Sequence, residues 1–134
     1  MKNAKIIIVV LLIVVIALVG VVLWYMNADK EPVIEYFLYD TGEDFVTNVA
    51  SSRALLKTRI TIQLTDKDTL AFCEENQFKV RDSIIGILRA KTYDVLAAEE
   101  NTQQLKQEIM STLSEKYELK GIEDVYFNEF VIQQ

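Results

Sequence analysis

The pattern of apolar and polar positions divides the chain into two unlike parts. From Ile6 to Met26 twenty-one residues pass without a charge, and Gly20 is the only one outside the apolar set. At 1.5 Å of rise per residue such a run makes roughly 31 Å of helix, about the thickness of a bilayer's hydrocarbon core. It has no polar face to offer water, whereas in lipid a helix satisfies its own backbone. The pattern predicts a cytoplasmic tail over 1–5, a transmembrane helix over 6–26, a short linker over 27–32 and an extracytoplasmic domain over 33–134. Pro32 sets the boundary, because it breaks a helix continuing out of the bilayer.

Beyond Pro32 the apolar residues become periodic. Val33 to Tyr39 reads as a strand, Asp40 to Glu43 as a turn, and Phe45 to Ala50 as a shorter extended segment. Leu56 to Leu64 alternates cleanly, with Leu56, Ile60, Ile62 and Leu64 facing one way and Lys57, Arg59, Thr61 and Gln63 the other. These strands predict an antiparallel meander. Thr65 to Asp68 then fits a capping box for a helix ending near Asn76. A longer helix is predicted over 77–96, with Val80, Ile84, Leu88 and Val95 on its inner stripe and Ile87 beside it. A third helix is predicted from Asn101, capped by that side chain, with Leu105, Ile109, Leu113 and Tyr117 facing inward and Gly121 as its stop. Ile122 to Ile132 is apolar on both faces, which predicts a strand covered on both sides. Strands, then helices, then a closing strand define an α+β domain with helices packed on an antiparallel sheet.

Charge orients the span. Lys2, Lys5 and the amino terminus precede it, while Asp29, Lys30 and Glu31 follow. The positive-inside rule puts the tail in the cytoplasm and the domain outside, and Trp24 and Tyr25 fit an aromatic belt at the outer interface. A cleaved signal peptide normally carries about 7–15 apolar residues and ends at small residues. The longer run and its Trp24-Tyr25-Met26 exit predict an uncleaved anchor instead. The span has no Gly-x-x-x-Gly face, so oligomerisation is expected to depend on the ectodomain.

Composition then removes whole classes of function. Asn27 to Gln134 carries 12 Lys plus Arg against 20 Asp plus Glu. That acidic balance argues against nucleic acid. The chain has no histidine, which excludes the common zinc sites and the Ser-His and Cys-His arrangements. Cys73 is the lone cysteine, so no internal disulfide forms; it is read as a buried, inert thiol. The four glycines make no phosphate loop. Glu74-Glu75, Glu99-Glu100 and Glu123-Asp124 are neighbours in sequence, and adjacent carboxylates on a helix do not converge on a substrate. No catalytic residue, cofactor or metal site is expected, and a binding or assembly role remains.

From Phe45-Val46-Thr47-Asn48 onward the chain resembles the FliL family of flagellar basal-body-associated proteins. The resemblance continues through Val80-Arg81-Asp82-Ser83-Ile84 and Leu88-Arg89-Ala90-Lys91-Thr92 to the ending Val125-Tyr126-Phe127-Asn128-Glu129-Phe130-Val131-Ile132-Gln133. Asn128 stands where Thr is usual, a Gly-Lys pair is replaced near Asn101-Thr102, and the linker is short. The resemblance implies a single-pass membrane protein whose ectodomain is similar to the stomatin/prohibitin (SPFH) domain. It implies a ring of copies around the ion-driven stator, MotA/MotB, that favours the stator's active form. For the subunit or stator interface the candidates are Arg81, Arg89 and Lys91 on the long helix, meeting Glu99, Glu100, Glu123 or Asp124 of a neighbour. The competing reading is a membrane-anchored sensor or ligand-binding ectodomain acting with a separate signalling partner.

Overall fold

A computed structural model describes residues Met1–Gln134. It divides into two compact units, Met1–Ile34 and Glu35–Gln134. The first is dominated by one helix, α1 (Lys2–Ala28), which has no buried residue and is long and apolar enough to cross a membrane. It extends past the expected 6–26 at both ends.

The second unit is a sheet with helices on one face. Its elements are β1 (Phe37–Asp40), β2 (Phe45–Asn48), β3 (Leu55–Leu64), α2 (Lys67–Glu75), α3 (Gln77–Arg89), α4 (Tyr93–Ala97), a single 3-10 turn (Glu99–Asn101), α5 (Thr102–Tyr117) and β4 (Ile122–Gln133). β4 pairs antiparallel with β3 along its whole length, from Leu55↔Gln133 to Leu64↔Ile122. A strand has two edges, so β1 and β2 must share the other. Phe37–Asp40 lies against Leu64–Thr61, and Phe45–Asn48 against Thr58–Leu55. β1 and β2 are thus one strand in two pieces, interrupted by Thr41–Asp44, and the sheet is three strands wide.

This corrects the meander. Asp40–Glu43 does not reverse the chain; it inserts residues into one strand, with Gly42 at φ +99°. The reversal comes at Ser51–Arg53, where Val49 N–H donates to the Ala54 carbonyl at 3.0 Å. The first strand also begins four residues later than expected. Val33, Ile34 and Tyr36 have strand-forming side chains but no opposite backbone, and all three are exposed.

The inner row of β3 decides where the core lies. Leu56, Thr58, Ile60, Ile62 and Leu64 are wholly buried, as are Val80, Ile84 and Leu88 of α3 and Ile109 and Leu113 of α5. Cys73 is buried with them, on α2. Nothing covers the other face. β4 is consequently an edge strand with Val125 as its only buried residue, and the expectation of cover on both sides is corrected.

The helical segment also departs from its pattern at four places. The helix over 77–96 breaks after Arg89, because Ala50 N–H takes the Lys91 carbonyl at 3.0 Å and Ala50 bridges Thr92. The break turns the stripe, so Leu96 is buried and Val95 is exposed. Asp66, not Thr65, caps α2, accepting from Asp68 N–H at 2.7 Å and Thr69 N–H at 3.2 Å. Asn101 makes no cap bond; the 3-10 turn feeds α5 directly and its side-chain amide donates to the Val95 carbonyl. α5 ends at Glu118 in the left-handed region (φ +53°), three residues before Gly121.

Gly121 has another task. It sits at φ +72°, and a Cβ there would lie 2.7 Å from Thr65 Oγ1 and 3.0 Å from Asp66 N. Its carbonyl accepts Thr65 N–H at 2.8 Å, which holds the start of β4 against the start of α2. Gly86 is the opposite case, since a Cβ there meets nothing within 4 Å.

The two glycines therefore predict opposite signs in urea unfolding of the detergent-solubilised protein. Gly86→Ala stabilises by up to about 1 kcal/mol, the helix-propensity difference. Gly121→Ala destabilises, through the strained φ and the crowded Asp66 backbone. Leu56→Ala, which empties part of the core, costs about 2–5 kcal/mol on the same measurement.

Candidate functional site

The sequence-predicted interface residues fall at four separate places. Arg81 is turned onto its own domain. Its Nη1 donates to the Thr41 carbonyl at 2.9 Å and the Glu43 carbonyl at 2.7 Å, and its guanidinium carbon lies 4.1 Å from the centre of the Phe45 ring. Gln77 Nε2 adds a third bond, to the Thr41 carbonyl at 3.1 Å. A planar fork of donors suits two converging carbonyls as a lysine would not. Arg81 holds the insertion between β1 and β2.

Lys91 is half-buried and paired with Glu108 of α5 at 2.5 Å. Arg89, two residues before it at the end of α3, is exposed and has no acidic partner within 4.0 Å. It borders an open cleft of about 420 Å³ between α3 and α5, together with Asp82, Gly86, Ile85, Thr112 and Lys116. A smaller cleft of about 300 Å³ lies beyond it, lined by Lys91, Thr92, Val95, Asn101 and Gln104.

Glu99 and Glu100 stand exposed on the 3-10 turn, free of salt bridges. Glu123 and Asp124 open β4. Thr65 Oγ1 donates to Glu123 at 3.3 Å, and Asp124 accepts the N–H of Val125 at 2.7 Å. The seven candidates do not converge within one copy. Arg89 is the unpaired cation among them and Glu99 and Glu100 the unpaired acids.

Ser83 of α3 belongs to a polar clasp. Tyr117 O–H donates to the Lys79 carbonyl at 2.9 Å and lies 2.8 Å from Ser83 Oγ, which also takes Lys116 Nζ at 3.2 Å. The clasp zips α3 to α5 and presents no activated nucleophile.

Sequence reasoning passed over the uncovered sheet face. Lys57 lies between Asp44 at 3.5 Å and Glu129 at 3.6 Å, and Arg59 beside Asp40 at 3.2 Å. Tyr126 O–H donates to Gln63 at 2.6 Å, and Asn128 to Thr61 at 2.7 Å. Leu38, Val46, Leu55 and Val131 are exposed beside them. The alternation of β3 marked these basic residues as wet, but only the pairing register shows which acids they meet. The Gly42 N–H and the Arg59 guanidinium hold the Asp40 carboxyl below its ordinary range, and Glu129 with Asp44 holds the Lys57 ammonium above its own.

The class of protein is thus one apolar N-terminal helix, long enough to cross a membrane, followed by a single α+β domain. Comparison with known proteins makes this specific. Residues 38–133 match the family model described as flagellar basal body-associated protein FliL. The flagellar protein FliL of Aquifex aeolicus (strain VF5) is 31% identical over 98 residues, covering 72% of this chain and 61% of that protein. The chain belongs to the FliL family. The matched region therefore spans less than two thirds of the length of that relative.

Two titratable groups, Tyr39 and Cys73, are buried in the core. Burial pushes the Tyr39 phenol up to about 12 and the Cys73 thiol up to about 11. Both folded values lie above the unfolded ones, so the unfolded chain loses these protons first as pH rises. Their contribution to stability is complete below about pH 9 and is lost as pH climbs through 9 to 12. Tyr39→Phe should flatten the upper part of that decline in unfolding measured against pH. The buried Tyr39 hydroxyl has no hydrogen-bond partner, so the same variant should be neutral or stabilising at pH 7.

Proposed function

We propose that this protein is an accessory of the flagellar motor, held in the cytoplasmic membrane by Ile6 to Met26, with its N-terminal tail in the cytoplasm and residues 33–134 outside. The observation that carries the reading is the family match over 38–133, joined to an N-terminal helix long enough to span a bilayer. Lys2 and Lys5 before the span support the orientation. The ectodomain resembles the SPFH domain and assembles side by side into a ring around the stator, MotA/MotB. A ring that binds the active stator better than the inactive one shifts the population toward activity by its differential affinity. Such work needs shape and charge at a surface rather than a nucleophile, which suits the geometry described above.

The unpaired charges suggest how copies meet. Arg89 on α3 of one copy faces Glu99 or Glu100 of the next, since none of the three is neutralised at home. Arg81 and Lys91 are engaged internally and serve the ring by shaping the domain.

Membranes solubilised gently should yield MotA and MotB with the tagged full-length protein, and a deletion strain should swim and swarm poorly under load. Clean recovery without stator subunits, or normal swarming at every load, would remove the motor reading. Arg89→Glu should shrink the detergent-extracted assembly in size-exclusion chromatography with light scattering. Adding Glu99→Arg and Glu100→Arg should restore it, and an unchanged assembly in the single variant would exclude Arg89 from the contact.

A further inference from the structure

The sheet has two outer edges, and they are treated differently. The β1–β2 edge is broken by Thr41–Asp44, and Gln77 and Arg81 occupy the carbonyls of Thr41 and Glu43 there. The outer edge of β4 is continuous over Ile122–Gln133, and no strand pairs with it. No other segment gives a backbone hydrogen bond to it; Val125 N–H is capped by the neighbouring Asp124 carboxylate. A twelve-residue free edge is long for a protein to leave open, because unpaired amides and carbonyls template another strand.

The side chains flanking this edge are patterned. On the helix side Ile122, Phe127, Phe130 and Ile132 are only half-buried, while their β3 partners Leu64, Ile60, Thr58 and Leu56 are wholly buried. The apolar layer therefore runs out to the edge and stops uncovered. Phe127 and Phe130 meet edge to face at 5.4 Å. On the open face the charged residues of β4 are Asp124 and Glu129, with Glu123 beside them and no basic residue in the strand. From α5, Lys106 reaches to 5.6 Å from the centre of the Tyr126 ring.

We propose that the free edge of β4 is a strand-addition site for an extended segment of a partner protein in which apolar residues alternate with basic ones. Alternate side chains of an added strand fall on opposite faces. One set would extend the apolar layer over Phe127, Phe130 and Ile132, and the other would meet Asp124 and Glu129. β3, already on the other edge of β4, shows the preference at work. It sets Leu56, Thr58 and Ile60 inward and Lys57 and Arg59 outward, with Lys57 3.6 Å from Glu129. A second copy's β4 is the poorer occupant, since it would bring the same three acids to the seam. The proposal rests on the reading of this protein as a binding module, and it names the backbone edge through which one partner is held.

The probe is a short synthetic peptide of alternating valine and lysine, with a second version N-methylated on the amides of one edge. Full-length protein in lipid nanodiscs is followed by residue-resolved amide hydrogen exchange. The peptide should slow every second amide of β4 by at least about tenfold near saturation, and the N-methylated version should not. Glu129→Gln, which keeps the size of the side chain, should weaken binding severalfold, with the exchange of the core amides unchanged. Equal binding by both peptides, or protection confined to the α3–α5 cleft, would overturn strand addition. Edge amides already protected in the free protein, in proportion to its concentration, would overturn it in favour of a second copy. Stator co-purification is scored separately in the same preparations. Its persistence beside a failed peptide test would sink the edge site and leave the motor reading standing.

Discussion

Everything in the α+β domain hangs on β3, whose ten residues bury one face and use both hydrogen-bonding edges. Its middle is where both neighbours lose step. Opposite Arg59 and Ile60, one flank carries the Thr41–Asp44 insertion and the other passes an extra residue, Asn128. Extra residues on a flank bend and twist a sheet locally. Each irregularity has its own repair. Arg81 and Gln77 take the freed carbonyls on one side, while Asn128 donates to Thr61 and Thr58 Oγ1 donates to the Glu129 carbonyl at 2.6 Å on the other. Thr58 thus sits in an apolar row without an unmet hydroxyl.

That arrangement divides the labour of the surface. The helices close one face, and the clasp of Ser83, Tyr117 and the Lys79 carbonyl locks α3 to α5. The other face keeps its charges in pairs and its aliphatic side chains in water. Among the candidate interface residues, Arg89, Glu99 and Glu100 have no ion-pair partner, and β4 leaves its long outer edge open.

Much of this was legible in the sequence. The alternation of β3 and the inner stripe of Leu105, Ile109 and Leu113 are periodic signals that report burial directly, and the apolar run over 6–26 lies within one long helix. The failures share a cause, which is that pattern does not carry pairing. Val33 to Tyr36 has the side chains of a strand, but β3 ends at Leu64 and leaves nothing opposite them. Asp40 to Glu43 has turn chemistry, yet the chain continues along the same edge. Residues 77–96 keep a helical period across a break imposed by Ala50, which lies far earlier in the chain, at the end of the first strand layer. Gly121 reads as a helix stop because its true constraint, the nearness of Thr65 and Asp66, is tertiary. The candidate charges were visible as residue types, but their intramolecular partners were not. Arg81 looks like any helix-face cation until the carbonyls of Thr41 and Glu43 are placed beside it.

The pairing of β3 with β4 has a kinetic side. The two strands are joined through all of the helices, so the ladder that completes the sheet closes a loop running from Thr65 to Gly121. Such non-local closure is slow compared with forming α3 or α5 alone. Until it happens, β3 shows an open edge and a bare apolar row. A chain whose first helix enters the membrane early would hold that half-built sheet beside the bilayer while it waits for its last strand. The interval between insertion and closure is then the period in which this domain is most exposed to proteases and to wrong partners.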